Sequence, residues 1–354
     1  MKIAVYAIAL NEEKHIERWV NACKDADIIV VADTGSTDKT VELLKKHNVQ
    51  VHTIGVQPFR FDDARNASLA LVPSDVDVCV SLDLDEVPDP DFFEKIRTHW
   101  KPETTKAWVM WDTGSVWMNN NRIHSRHGYR WVKPCHEVTV RSYPGPDVEV
   151  VIETTVKHVP DNSKPRSQYL GMLEWAVLED PSDCRMVAYL AREYYFCNKW
   201  QEILDTANRM EELSGGWDVE RASVYRFAGQ ACIELGLPEA EDWFLKGTEV
   251  APEELEAWFG LTNYYYTKQQ WQECYDAAIK VETLTPGDNY ISDDQTKWKM
   301  HDLLSMACWN LGKKGSAKKN SRIALELNPD DSRLKDNYNF FVLNTVKEYK
   351  DAKA

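Results

Sequence analysis

No Cys-x-x-Cys pair occurs among the eight cysteines, which stand at 23, 79, 135, 184, 197, 232, 274 and 308. That scatter argues against a zinc ribbon and a thioredoxin-like redox site, and leaves most of the thiols as small core residues. A reducing cytoplasm is the expected compartment. No apolar run approaches the roughly 20 residues that span a bilayer. The opening Met1-Lys2-Ile3-Ala4-Val5-Tyr6 enters a strand pattern at once, so no signal peptide is expected. Basic charge is in deficit too. Residues 1–165 hold 20 basic and 25 acidic side chains, residues 166–354 hold 22 and 32, and the net charge is −15. Neither part has the surplus that phosphate backbones attract, so nucleic acid is an unlikely partner. No Gly-rich phosphate loop with a basic residue opens the chain; Asn11-Glu12-Glu13 stands in that place and disfavours a nucleotidyltransferase.

Two textures divide the 354 residues. In the first, strands alternate with helices: strands at Lys2–Leu10, Asp27–Asp33, Val49–Gly55 and Val76–Leu82, and helices after Asn11, after Asp38, at Asp63–Leu71 and at Pro90–Trp100. Near-continuous apolar strands between helices predict a mainly parallel sheet covered on both faces, an α/β layer with ligands at the strands' carboxyl ends. Asn11 is expected to cap the first helix, and Ser36 or Thr37 the second. From Trp108 to Val159 the pattern changes to antiparallel strands, and Pro160–Pro165 reads as a linker. The second texture is helical. Pro252 and Pro286 lie 34 residues apart, and similar units start near Tyr189, Val224, Trp258 and His301. A period of about 34 is that of tetratricopeptide repeats, with Asn198 and Gln269 in two of the expected glycine positions. The expected domains are therefore 1–165, α/β, and 166–354, all-α repeats.

The stretch Ser81-Leu82-Asp83-Leu84-Asp85-Glu86 crowds three carboxylates at the exit of a buried strand. Such charge needs neutralising, and a divalent cation carrying a nucleotide diphosphate would do it, because hard cations take oxygen ligands from one or two carboxylates and from phosphates. Asp33 before Thr34-Gly35-Ser36-Thr37-Asp38 is placed to accept hydrogen bonds from a base or ribose. Within Phe59 to Asn66, Arg65 either meets the nucleotide or pairs with Asp62 or Asp63. His136 and Glu137 are adjacent and expected on an edge strand, so one of the two faces the site: His136 as a metal ligand, or Glu137 as the group that takes the acceptor's proton. His158 is the competing metal ligand. Arg122, His124, Arg126, His127 and Arg130 form a basic stretch, either a solvated loop or a cover for the diphosphate. Trp117 and Trp131 flank the region and are expected in cores rather than stacked on sugar.

Four of these motifs stand in the order found in family 2 glycosyltransferases of the GT-A fold: Ala9 to Glu13, Asp33 to Asp38, Phe61 to Asn66 and Leu82 to Glu86. The resemblance covers about residues 1–160. His136-Glu137 resembles an element of a subgroup that also carries C-terminal tetratricopeptide repeats. The resemblance implies a GT-A domain and inverting transfer from a nucleotide-diphosphate sugar, a UDP-sugar, with Mn²⁺ or Mg²⁺. It implies a donor-binding set of Leu10, Asn11, Glu13, Asp33, Arg65, Asp83 and Leu84, with Asp85, His136 and His158 as metal ligands. Glu137 and Asp85 carry the catalysis. The expected acceptor is a glycan, a protein or peptide, or another acceptor, and the repeats are expected to grip a protein, a long glycan or a second copy of the chain. Two rivals are a non-catalytic repeat scaffold with a degenerate first domain, and a sugar transferase acting on modified DNA bases.

Overall fold

A computed structural model describes residues 1–114, 117–161, 169–284 and 294–351. The chain divides into two compact units, Met1–Ala176 and Val177–Ala354. The expected boundary at 165 and most of the expected linker lie outside the described residues, as does Pro286.

The first unit is built on an eight-stranded sheet. Its strands are β1 (Ile3–Ala9), β2 (Ile28–Asp33), β3 (Gln50–Thr53), β4 (Val78–Ser81), β5 (Glu86–Pro88), β6 (Lys106–Asp112), β7 (Trp117–Ser125) and β10 (Glu149–His158), while β8 (Tyr129–Val132) and β9 (Val138–Arg141) pair only with each other. Helices α1 (Ile16–Ala22), α2 (Thr40–Lys46), α3 (Phe61–Leu71), α4 (Phe92–His99) and α5 (Tyr169–Glu179) accompany them. The strand order is β3-β2-β1-β4-β7-β6-β10-β5. β1, β2, β3 and β4 run parallel, as expected from their continuous apolar runs. Side chains alternate across this layer. Ile3, Val5, Ala7 and Ala9 enter one core with Trp19, Phe92 and Ile96. Ala4 and Tyr6 enter the other, with Leu69, Cys79 and Trp131.

One expectation fails in the second half of the sheet. β7 runs antiparallel to β4 and β6, but β10 runs parallel to β6 rather than antiparallel. β10 therefore ends at the same edge as β4, with His158 in register with Glu86. Ala9 faces Asp33 across β1 and β2, so the carboxyl ends of those strands are level.

The second unit is a row of antiparallel helices: α6 (Cys184–Phe196), α7 (Trp200–Glu212), α8 (Asp218–Leu235), α9 (Ala240–Val250), α10 (Leu255–Thr267), α11 (Trp271–Ala278), α12 (Asp294–Asn310), α13 (Lys314–Leu327) and α14 (Ser332–Asp351). The starts expected near Tyr189, Val224, Trp258 and His301 fall inside α6, α8, α10 and α12. Each of those helices ends in the same left-handed turn, at Asn198 (φ 54°), Gly236 (68°), Gln269 (57°) and Gly312 (74°). Each turn closes with two backbone bonds; at Gly236 these are Gly236 N–H to Ile233 O and Leu237 N–H to Cys232 O. This is a helix C-terminal motif that favours glycine and tolerates asparagine. Asn198 and Gln269 thus occupy glycine positions, as the repeat pattern predicts. Among the described residues no helix is long and apolar enough to cross a membrane.

Candidate active site

Two loops leave β1 and β2 side by side. Asn11 does not cap α1. It adopts a left-handed conformation (φ 56°), and its Oδ1 accepts from Thr37 N–H at 2.8 Å. Its own N–H donates to Ser36 Oγ, 2.9 Å. Glu13 Oε2 accepts from Lys39 N–H at 3.0 Å, and Glu13 N–H donates to Asp38 Oδ2 at 3.1 Å. Asp38, not Ser36 or Thr37, receives the N–H of Thr40 at the start of α2. Asp33, 2% exposed, accepts from Gly35 N–H and Ser36 N–H at 3.1–3.2 Å. Leu10 is exposed at the tip of β1, whereas Leu84 is buried in the core, so only its backbone can meet a ligand.

The acid cluster after β4 is neutralised mainly by arginine. Arg65 on α3, 4% exposed, donates from Nη1 and Nη2 to Asp83 Oδ1 and Oδ2 at 2.7 and 2.8 Å, and from Nε to Glu137 Oε1 at 2.5 Å. The expected pairing of Arg65 with Asp62 or Asp63 is not found, because those two acids are held by Arg60 instead. Arg122 on β7 bridges Asp83 Oδ2 (2.9 Å) and Glu86 Oε1 (3.2 Å). Glu86 also takes the Trp111 indole N–H and the backbone N–H of Asp83. Burial pushes the Asp83 carboxyl up, but the two guanidiniums outweigh it and hold the group below the usual carboxylate range. Burial, and then the Asp83 charge, lift Glu86 to about 7. Two guanidiniums thus face the carboxylates of Asp83, Glu137 and Glu86, with Asp83 made more acidic and Glu86 less so.

Asp85 stands outside this network. Its Oδ2 lies 3.0 Å from His158 Nε2, and the hydrogen bond to Asp85 raises the imidazole's pKa. This pair meets only because β10 is parallel to β6. His136 does not join them: its ring sits 6.1 Å from that of Tyr169. Among the described residues no three His, Cys, Asp or Glu side chains form a group that could hold an ion. Of the candidate ligands Asp85, His136 and His158, the structure brings Asp85 and His158 together. The pair still suits a divalent cation, since a half-exposed carboxylate and an imidazole offer O and N donors and phosphate oxygens can complete the shell.

His136 and Glu137 lie in the turn between β8 and β9, not on a strand, with Lys133 (φ 82°) and His136 (φ 49°) in left-handed conformations. The basic stretch is mostly structural. His124 is fully buried, Arg126 binds the carbonyls of Val72 and Pro73, and His127 binds that of Ser74; only Arg122 reaches the acids. Trp131 is buried beneath the Arg65 guanidinium, 5.0 Å from ring to Cζ, and the Trp117 side chain lies outside the described residues. Sequence reasoning missed Arg122, Glu86 and Trp111 as partners, and also an open cleft of about 520 Å³ on the opposite side of α3 from Arg65, lined by Gly55, Gln57, Pro58, Arg60, Asp63 and Trp175. Asp83, Asp85, Glu86 and Glu137 do not line that cleft. The repeat of Arg60, Asp63 and Ala67 at helical spacing was the available signal for it.

No curated protein matches the chain. Solved structures to which it is similar include MamA (15% identity, 47% of this chain and 91% of that one, TM-score 0.37). They also include TTC0263, a tetratricopeptide-repeat protein of Thermus thermophilus (17% identity, 49% and 89%, TM-score 0.35). A third is glucosyl-3-phosphoglycerate synthase of Mycobacterium tuberculosis in complex with Mn²⁺, UDP-glucose and phosphoglyceric acid (26% identity, 32% and 45%, TM-score 0.28). Residues 5–152 match the model of Glycosyl transferase family 2. That span lies within the first unit and holds the paired β1 and β2 loops, the acids after β4, Arg65 and Glu137.

Proposed function

We propose that the protein is a metal-dependent, inverting glycosyltransferase of the hexosyl type, moving a sugar from a UDP-sugar to a hydroxyl of a glycan, protein or peptide. The observation that carries the reading is the convergence at one sheet edge of the Asn11–Glu13 and Asp33–Asp38 loops, the Asp85–His158 pair and the Arg65–Glu137 pair. The donor's base and ribose lie against Leu10, Asn11, Glu13 and Asp33. Asp83 holds Arg65 and Arg122 in place beside the diphosphate, while Asp85 and His158 would hold Mn²⁺ or Mg²⁺. Such an ion, when bound, supplies neutralisation of the charge that grows on the leaving diphosphate.

Arg65 engages Glu137 Oε1, which leaves Oε2 to receive the acceptor's proton. The acceptor oxygen forms a bond to the anomeric carbon as the bond to the diphosphate oxygen breaks, and UDP departs with that electron pair. One displacement inverts the carbon. The helical unit is assigned the acceptor protein or a second copy of the chain, along the surface that stacked repeats offer.

Hydrolysis of UDP-glucose and related donors with Mn²⁺ tests this reading, with water as the acceptor. Glu137→Gln should lower turnover by about 10²–10⁴-fold, the usual worth of a positioned base, with UDP affinity within twofold by calorimetry. Asp85→Asn should remove the Mn²⁺-dependent part of UDP binding. Wild-type turnover in Glu137→Gln would reject the base; Mn²⁺ strengthening UDP equally in Asp85→Asn would reject the cation seat.

A further inference from the structure

Among the described residues, the ribbon β8–β9, which carries Glu137 in its turn, pairs with no strand of the main sheet. A two-stranded ribbon is marginal by itself, so something else must fix where Glu137 stands. The Asn66 side chain supplies what a neighbouring strand would: its Nδ2 donates to Trp131 O at 2.9 Å, and its Oδ1 accepts from Trp131 N–H at 2.8 Å. One amide thus satisfies both backbone groups of a residue that is 2% exposed. Phe61 N–H donates to Pro134 O at 2.9 Å, at the start of the turn. The Trp131 indole donates to Tyr6 Oη, 2.8 Å, which ties the ribbon to β1. Arg65 and Asn66 are consecutive on α3: the first holds the carboxylate of Glu137, the second the strand that leads to it.

We propose that Asn66 is a positioning residue for Glu137, acting through the Trp131 backbone to hold the ribbon turn against α3. This rests on the role proposed above for Glu137 as base. A buried N–H and C=O left without partners are costly, so loss of the amide frees the ribbon to move while the β1, β2 and β4 ends, which do not depend on it, keep their geometry. The predicted signature is a loss in turnover without a loss in nucleotide binding.

The test uses the full chain, with UDP-glucose and Mn²⁺ as probes, in four forms: wild type, Asn66→Ala, Glu137→Gln and the double variant. Asn66→Ala should lower the hydrolysis rate at least tenfold while UDP affinity stays within twofold. The double variant should be no more than twofold slower than Glu137→Gln alone, because both changes disable one group. Hydrogen exchange should speed up at least tenfold over residues 129–141 and stay unchanged in β1 and β2. Asn66→Asp, which keeps the acceptor but sets a carboxylate against Trp131 O, guards against a misfolded alanine variant and should show the same split. Full turnover in a folded Asn66 variant, or losses that multiply in the double variant, would overturn the proposal. Full turnover in Glu137→Gln would instead overturn the base assignment, and the exchange over 129–141 would still report whether Asn66 holds the ribbon.

Discussion

Three aromatic side chains and one backbone carbonyl share a chain of hydrogen bonds under the candidate site. Trp131 Nε1–H donates to Tyr6 Oη, and Tyr6 Oη pairs with His124 Nε2 at 2.8 Å. His124 Nδ1 lies 2.9 Å from Ser125 O, which can only accept. The proton therefore sits on Nδ1, and Nε2 accepts from the Tyr6 hydroxyl. Burial lowers the His124 pKa to about 4. Between about pH 6.5 and 4 the unfolded chain binds a proton there that the folded chain refuses, so stability falls as pH falls through that window. At pH 5 the loss from this group is about 2 kcal/mol. Urea titrations at pH 7.5 and 5 should show wild type losing that much more than His124→Gln; an equal loss in both would remove His124 as the cause.

At the scale of elements, local pattern and close packing meet in the repeats. The Phe244 ring of α9 lies against Gly229 of α8 and Gly260 of α10, where an added Cβ would come to 2.7 and 3.0 Å of ring atoms. Alanine is the better helix former by about 0.5–1 kcal/mol, but overfilling a packed contact costs about 1–3 kcal/mol. Gly229→Ala should therefore destabilise the second unit. Gly171→Ala in α5, where nothing lies within 4 Å, should stabilise by about 0.5–1 kcal/mol. Chemical denaturation of both variants checks the pair, and equal signs would show that propensity rather than the Phe244 contact decides at Gly229.

At the scale of the whole molecule, the two units have separate cores: the sheet's two faces in the first, and the helix row around Val224, Phe244 and Tyr264 in the second. Every candidate site residue lies within Met1–Ala176. Phe244→Ala, a core truncation of the kind that costs about 3–5 kcal/mol, should lower the melting temperature of the chain. UDP affinity measured well below that transition should stay within twofold of wild type. A large fall in UDP affinity would mean that the site depends on the repeats.

Local chemistry alone determined much of this protein. Near-continuous apolar runs predicted β1, β2 and β4, and Asn11, Asp33 and Asp83 marked their carboxyl ends. The left-handed turns at Asn198, Gly236, Gln269 and Gly312 announced the helix pairs, because each is a property of a few adjacent residues. Other features rest on segments far apart in the chain. The choice of Asp83 and Glu137 rather than Asp62 or Asp63 as partners of Arg65 joins residues 18 and 72 positions away. The parallel course of β10, which brings His158 to Asp85, is a matter of strand order. Periodicity records which face of a segment is buried, but not which neighbour buries it, so strand order and ion partners were decided only when the whole layer assembled.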